Sequence, residues 1–563
     1  MPPSTSPFPS ASPPPSASPS TSGAAPRTAP AAAAPAPAGI PRRSVLTTAA
    51  AAVAALGGSA ALTGCSGAAS ASPSRAVPTR GPAGRPDRGG TLRIARPPAS
   101  DAETLDPASA LSAYEYLGAL YNRLVRIAPD GTVAPDLAES WEPDAKAVTW
   151  TFRLRRGVTF HDGRAFTSAD AAYTLRHILD KATASPQAPV LSPLVDPGRL
   201  RTPDAHTLVV SLKSPHAEFP SLLTHYNCYV VPEGSAGSIG RTGIGTGPFR
   251  LASFTAAGPG RVTAYADHWA GRPVLDAIDF YTVADMQARS NALLAGQVDL
   301  LSQTNLDFAT ARVVAASDRA TIARAENAQW YVLPMLTTEK PFTDPRVRQA
   351  MKLAYDPAHI LKAALQGAGT AGWDNPVPPN DPAHIAAHPA HDPEKARHLL
   401  KRAGHERLAV DLYTSSYDPI FTPMALAYQE SAGRAGIRIR VKTAAADSYY
   451  TQIWMKKPLM ATYWYTGRPV DQLLNQVFRG GSSYNETAWS DKEFDALLDR
   501  ARRETDEGRR RELYGQAQTL VVERGGAITP MFADRLVGIS RKVRGYAEHG
   551  FEFDYLHIGL KGA

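Results

Sequence analysis
Apolar and polar residues alternate over Thr91-Leu92-Arg93-Ile94-Ala95, and this period of two predicts a strand where the folded chain starts, at about Gly90. The alternation returns over residues 147–154, with Val148, Trp150, Phe152 and Leu154 on one face. After Arg156-Gly157 the chain runs Val158-Thr159-Phe160-His161-Asp162-Gly163, and the closing Asp-Gly predicts a hairpin turn with His161 as a structural partner. The run Tyr226-Asn227-Cys228-Tyr229-Val230-Val231 reads as a further apolar strand that buries Cys228 as a structural thiol.

Helical spacing takes over in several later segments. Residues 168–179 predict a helix opened by Ser168 and Asp170. Asp344-Pro345-Arg346 and Asp392-Pro393-Glu394 each place an acid at the N-cap and proline at the first helical position. These caps predict helices through Met351, Leu353 and Ala354, and up to Gly404. Arg346 and Arg348 then solvate or pair on their own helix. A strand at 408–413, a helix at 423–435 and a strand at 437–441 follow in β-α-β order, which predicts parallel pairing in an α/β lobe.

The first 64 residues follow a different pattern. Residues 1–40 are mainly Pro, Ala, Ser and Thr, too poor in apolar clusters to offset the entropy of ordering, and read as a disordered extension or an early start. Behind Arg42-Arg43 runs an uncharged apolar stretch, 46–62, of marginal length for a bilayer span. It ends in Leu62-Thr63-Gly64-Cys65, an arrangement that resembles a bacterial lipoprotein signal. The arginine pair has the spacing of a twin-arginine export signal, with a general export route as the alternative. The expected outcome is a chain outside the cytoplasmic membrane, anchored to the cell membrane by lipid on Cys65. Residues 65–88 read as a flexible tether whose Arg75, Arg80, Arg85 and Arg88 suit anionic lipid.

Without residues 1–64 roughly 500 residues remain, more than one compact core accommodates. The formal charge of +8 includes three arginines and no acid in that segment, so the rest is only modestly basic. No concentrated Lys/Arg stripe is present, which argues against a nucleic-acid partner. With Cys65 acylated, Cys228 is the one remaining thiol and no internal disulfide forms.

Read together, a series of short strings carries the family signal. They are Leu105-Asp106-Pro107, Tyr121-Asn122-Arg123-Leu124-Val125, Pro135-Asp136-Leu137-Ala138-Glu139-Ser140-Trp141 and Thr151-Phe152-Arg153-Leu154-Arg155-Arg156-Gly157-Val158. Phe160-His161-Asp162-Gly163, Ser168-Ala169-Asp170-Ala171, Gly245-Thr246-Gly247-Pro248-Phe249, Asp344-Pro345-Arg346-Val347-Arg348-Gln349-Ala350 and Glu394-Lys395-Ala396 continue the order. In this order the chain resembles the extracytoplasmic solute-binding proteins, family 5, of the peptide, dipeptide and nickel ABC-importer class.

The resemblance implies an α/β two-lobed clamshell of the type II periplasmic-binding-protein kind, with an extra small domain. Lobe I is expected over 89–328 with an insertion at about 135–240, lobe II over 329–526, and a return to lobe I over 527–563. It implies capture of an oligopeptide-like or other small polar organic solute between lobes that close on it, and delivery to permease and ATPase subunits. A monomer suits that hand-over. A sensory receptor with the same clamshell, or binding of a nickel complex, are the alternatives.

The expected ligand wall is Tyr463-Trp464-Tyr465-Thr466-Gly467-Arg468, flat aromatic surface beside a cation, with Trp464, Tyr465, Gly467 and Arg468 as site residues. Peptide-binding members of the resembling family tend to place an aspartate there for a free amino terminus. Here Arg468 stands in that stretch and Asp471 lies further on, so Arg468 suits a carboxylate or phosphate instead. Burial of Trp464 and Tyr465 as core is the competing reading. Tyr114, Trp373 and Tyr484, with Asn485 and Glu486, are further wall candidates on expected loops.

Catalysis is not expected, because the chain has neither a Gly-x-Ser-x-Gly elbow nor a His-Glu-x-x-His pair. Gly243-Ile244-Gly245-Thr246-Gly247 lacks the trailing lysine of a phosphate loop and reads as a backbone crossing between lobes. His384, His388 and His391 are the residues closest to a metal site, on a proline-rich loop without a completing cysteine or carboxylate cluster, and no metal or cofactor is expected.

Overall fold
The computed structural model describes residues 79–80, 82–99, 102–128, 131–302, 305–386, 391–445, 448–549 and 552–562. The signal region, Cys65 and His388 lie outside the described residues.

The alternating segment at the start forms the strand Thr91–Arg96, with Leu92 and Ile94 fully buried. It pairs in parallel with Ala277–Thr282 on one side and Leu300–Leu301 on the other. These strands belong to one nine-stranded sheet among the described residues. Its two longest members, Ala320–Pro334 and Ala527–Ser540, pair with each other antiparallel and run through both lobes. At one end Ala323, Val537 and Ile539 join a core with Leu92, Tyr116 and Phe280. At the other, Tyr331, Ile528 and Met531 join a core with Val347, Leu412 and Phe421. Two separate apolar cores strung on one strand pair make two lobes.

Between them the register slips: Ala325 faces Arg535, Gln329 faces Ala533, and Asp534 alone opposes residues 326–328. Asn327 takes a left-handed φ of 51°, tolerable for Asn, and its N–H donates to Asp534 Oδ1 at 2.9 Å. The expected boundary at 328/329 falls in this bulge. The expected boundary at 526/527 falls at the start of the return strand, whose first half still pairs inside the second lobe, through Ala527–Pro334 and Ile528–Leu333.

A satellite sheet of Ala138–Pro143, Thr149–Leu154, Thr207–Leu212 and Val195–Asp204 lies within residues 135–240. Trp150, Phe152 and Leu154 face its core, against Ala171, Ala172, Leu175 and Ile178 of the helix Ser168–Leu179. That helix is capped one residue earlier than expected, by a Thr167–Asp170 capping box. Asp344 and Asp392 cap Pro345–Leu353 and Pro393–Arg402 as their Asp-Pro steps predict, and Asp356-Pro357 repeats the device. Ala409–Ser415 and Arg438–Ala444 pair in parallel through the helix Phe421–Gly433.

Several expectations need correction. The Asp162-Gly163 hairpin turn forms as expected, with Phe160 N–H donating to Arg164 O at 2.8 Å and Phe166 N–H to Val158 O at 3.0 Å, but its pairing is one Thr159–Ala165 bridge and not a longer ladder. Tyr226–Cys228 is a short 3-10 turn, not a strand, because Asn227 Nδ2 ties it to Pro107 O at 2.6 Å and Ala110 O at 3.0 Å. Cys228 is buried all the same, and burial pushes its thiol up to about 12. Gly243 to Gly247 does not cross between lobes. It packs on the end of the helix Tyr114–Leu120, where Gly247 N–H donates to Leu120 O at 2.9 Å. His161 holds it from the other side, accepting from Gly245 N–H at Nδ1 (3.2 Å) and contacting Gly247 O through Nε2 (3.0 Å).

Arg346 pairs with Asp344 on its own helix, but Arg348 is buried and donates to Arg524 O at 3.0 Å. Beside it Lys352 Nζ reaches Val521 O and Val522 O, so both cations sit on the exposed carbonyls ending the helix Glu507–Arg524. The expected tether is folded in its last part. Thr79–Arg80 pairs with Glu548 and Ala547, and Asp87 N–H donates to Leu560 O at 2.9 Å.

Candidate functional site
Thr462–Tyr465 is the outermost strand of the long sheet at the second lobe, with Trp464 opposite Trp330. Thr466 N–H donates to Ala328 O at 3.0 Å, and this phase turns the backbone groups of Tyr463 and Tyr465 toward the outer edge. The side chains alternate. Trp464 stacks on Trp330 at 6.3 Å, while on the other face Tyr463 meets Tyr331 at 5.9 Å. Trp464 is half-buried and Tyr465 is 37% exposed, so this strand is neither wholly core nor wholly surface.

Trp464 is held by an internal acid. Glu486, only 2% exposed, accepts from Trp464 Nε1 (3.0 Å), Trp454 Nε1 (2.5 Å) and Thr462 Oγ1 (2.9 Å). Burial pushes its carboxyl up to about 7 against the pull of these donors. Asn485 is internal too, its amide donating to Phe478 O, Arg479 O and Trp489 O. Of the three neighbours only Tyr484 is exposed, edge-on to Trp464 at 6.1 Å and tilted against Trp454 at 6.4 Å.

After the strand, Gly467 turns with φ 86° and directs Arg468 back over it. The guanidinium donates to Tyr465 O at 2.6 Å and lies 5.3 Å from the Trp464 ring centre. Among the described residues no carboxylate pairs with it, and burial lowers its pKa. Across from it stand first-lobe residues. Burial, then the charges of Arg468 and Arg123, bring His225 down to about 3. Arg468 also acts on Tyr226, whose ring packs edge-on against Tyr114 at 4.8 Å. The structure thus gathers Tyr114, Trp464, Tyr465, Gly467, Arg468 and Tyr484 at one inter-lobe surface.

It does not gather Trp373. That residue follows the strand Gly369–Ala371, which pairs with Ala527–Ser540 on the side away from Thr462–Tyr465, three strand spacings or roughly 14 Å off. Asp471 is not a displaced ligand group either. It is fully buried, and Arg502 and His216 hold it. His384 contacts Val377 O through Nδ1 at 2.8 Å, a local link within its loop.

A second group of residues meets the same edge. The loops beyond the C-terminal ends of the two parallel strands bring Tyr417 and Asp418 from one, and Tyr449, Tyr450 and Trp454 from the other. Tyr417 stacks on Tyr449 at 5.0 Å and meets Tyr450 edge-on at 5.2 Å, and Tyr450 packs on Trp454 at 5.6 Å. The signal for them was topological: in a parallel sheet, ligands gather outside the carboxyl ends of the strands. The β-α-β pattern located those ends.

The di/tripeptide-binding protein 1 of Pseudomonas aeruginosa is 30% identical over 468 residues, 76% of this chain and 86% of that protein. The glutathione-binding protein GsiB of Pectobacterium atrosepticum is 27% identical over 404 residues, 68% of this chain and 77% of that protein. Among solved structures, HbpA2 of Haemophilus parasuis superposes with a TM-score of 0.74 at 22% identity, covering 84% of this chain and all of that one. The nickel ABC transporter structure from Bacillus halodurans gives a TM-score of 0.71 at 22% identity over the same shares. The middle-region profile of the bacterial extracellular solute-binding proteins, family 5, matches residues 132–485. With that span matched, and two cores threaded on one strand pair, the chain belongs to the family 5 bacterial extracellular solute-binding proteins.

Proposed function
We propose that this protein captures a small polar organic or oligopeptide-like solute between its lobes and delivers it to the permease of an ATP-driven importer, without making or breaking bonds in it. The solute contacts Trp464, Tyr465, Arg468 and Tyr484 from the second lobe and Tyr114 and Tyr226 from the first. The carrying observation is Arg468, a cation without a carboxylate partner among the described residues, aimed at the surface between the lobes. A solute carboxylate or phosphate supplies the missing charge, and contact with both lobes favours the closed state. The outer edge at Tyr463 and Tyr465 offers backbone donors and acceptors to an extended ligand. The names of relatives that bind dipeptides, tripeptides and glutathione support this class of solute.

The Leu62-Thr63-Gly64-Cys65 string supports lipid anchoring at Cys65 after export through the twin-arginine route, with the protein acting as a monomer at the membrane face. Mass spectrometry of solute carried by the full chain purified in mild detergent, followed by small-angle scattering with and without that solute, tests the reading. A more compact particle with solute is expected, and a particle of fixed dimensions overturns it. Palmitate labelling that persists in Cys65→Ser would remove the anchor.

A further inference from the structure
We propose that Glu486 is a positioning residue of the solute site: its one carboxylate locks two half-buried tryptophans, Trp454 and Trp464, into a single surface and thereby holds Arg468 in place over it. The inference rests on capture between the lobes and adds to it a control by one proton.

The two indoles come from separate segments, Trp454 from the end of the turn Tyr449–Ile453 and Trp464 from the edge strand Thr462–Tyr465. Glu486 stands behind both. Trp454 Nε1 and Thr462 Oγ1 donate to its Oε1 at 2.5 and 2.9 Å, and Trp464 Nε1 donates to its Oε2 at 3.0 Å. Both oxygens are taken by the wall itself. Because the side chain is enclosed, it acts on a solute only through these rings.

Packing alone does not call for an acid here. Among the described residues no Lys, Arg or His pairs with Glu486, and burying an ionised carboxylate without a cation is costly. What a carboxylate provides is an acceptor oxygen on each side. A glutamine has one acceptor oxygen and an amide nitrogen, and that nitrogen would meet an indole N–H donor head-on. The charge therefore serves to hold two N–H groups from two segments at once.

Trp464 carries the effect to the solute. Its ring lies 5.3 Å from the Arg468 guanidinium and meets Tyr484 edge-on at 6.1 Å, while Trp454 packs on Tyr484 at 6.4 Å and on Tyr450 at 5.6 Å. A protonated Glu486 must donate where donors already point, so one indole loses its acceptor and the surface loosens. Burial pushes the carboxyl up to about 7 against the pull of the two indoles and Thr462, which brings this exchange into the neutral range. The other titratable groups about it are Tyr449 and Tyr450, both raised chiefly by burial, with Tyr484 and, beyond the Trp464 ring, Arg468. Capture is therefore strongest above about pH 7 and weakens below it.

Indole N–H resonances of the isotope-labelled full chain in detergent, followed across neutral pH, test the holding of the two rings without any solute, with Trp454→Phe and Trp464→Phe identifying the two signals. Both signals should move with one shared midpoint at about 7 and stay still in Glu486→Gln. Trialanine and glutathione, titrated calorimetrically, should bind wild type roughly tenfold more tightly at about pH 8 than at about pH 6, a dependence that Glu486→Gln lacks. If Glu486→Gln does not fold, Trp454→Phe takes its place: with one donor gone, the midpoint of the Trp464 signal should rise, and an unmoved midpoint overturns the role. Indole signals that do not titrate, or a pH dependence of binding that Glu486→Gln shares, overturn the positioning role and leave inter-lobe capture standing. If neither probe binds, mass spectrometry of the solute carried by the purified chain decides: less of it on Glu486→Gln than on wild type upholds the role, and equal amounts overturn it. A chain that binds neither probe and carries no solute overturns both readings.

Discussion

His216 Nε2 lies 3.2 Å from Asp471 Oδ2, with both side chains sealed from solvent. His216 belongs to the satellite domain and Asp471 to the second-lobe helix Val470–Val477, so the contact joins two bodies far apart in sequence. Arg502 adds a forked pair to the same carboxylate, and Tyr514 OH donates to both Asp471 and Glu218. Burial acts to raise the Asp471 carboxyl, but Arg502 and then His216 outweigh it and hold the group well below the usual carboxylate range.

Asp471→Ala leaves the Arg502 charge and the His216 ring without their partner, and is expected to cost about 3–5 kcal/mol in chemical denaturation. The native form of Asp471 binds its proton less tightly than the unfolded form. The wild-type advantage is therefore complete above roughly pH 4 and shrinks as pH falls below it. An advantage that stays constant down to acid pH would show that the anion is not what joins the bodies.

Arg468→Ala is expected to weaken an anionic solute by roughly 2–5 kcal/mol, since truncation removes a buried charge partner. Arg468→Lys should recover part of the loss, because a lysine keeps the charge without the planar fork. Titration with the solute identified on the purified chain measures both, and unchanged affinity in Arg468→Ala places the anion elsewhere.

What the sequence made legible was local. The Asp-Pro steps at 344 and 392 became helix caps because an N-cap acid and a proline at the first helical position act within one turn. The parallel pair at 409–415 and 438–444 followed from period and order alone. The aromatic run at 463–465 and Arg468 stood out because residues of one kind are adjacent in sequence. Asp471 and Asp418 were illegible for the opposite reason: the His216 partner of Asp471 is 255 positions away, and the tyrosines around Asp418 come from four separate segments. Asn227 overrode an apolar run by reaching across to Pro107 and Ala110, a contact no period encodes.

Lys352 gives a prediction at the alkaline end. Burial lowers its pKa to about 8, with Asp374 opposing. The unfolded chain binds that proton more tightly, so the ionised form opposes folding by about 3 kcal/mol at neutral pH, relieved between roughly pH 8 and 10.5. Measured against Lys352→Met across that range, wild type should gain relative stability as pH rises. A flat difference would mean that the Val521 and Val522 carbonyls fully offset the burial.

Gly245 is a steric prediction. A Cβ there would stand 2.0 Å from Leu120 O, against backbone that cannot yield as a flexible side chain does. Gly245→Ala should cost about 3 kcal/mol in chemical denaturation, and a neutral result would show that the Tyr114–Leu120 helix end moves freely.

The slipped register around Asn327 and Asp534 has one further consequence. The two long strands stay bonded to each other on both sides of the slip, so sliding one lobe sideways past the other would break ladder bonds on both sides. Any bending between the two cores is then expected at the slip, where the side-chain bond from Asn327 N–H to Asp534 stands in for regular ladder bonds.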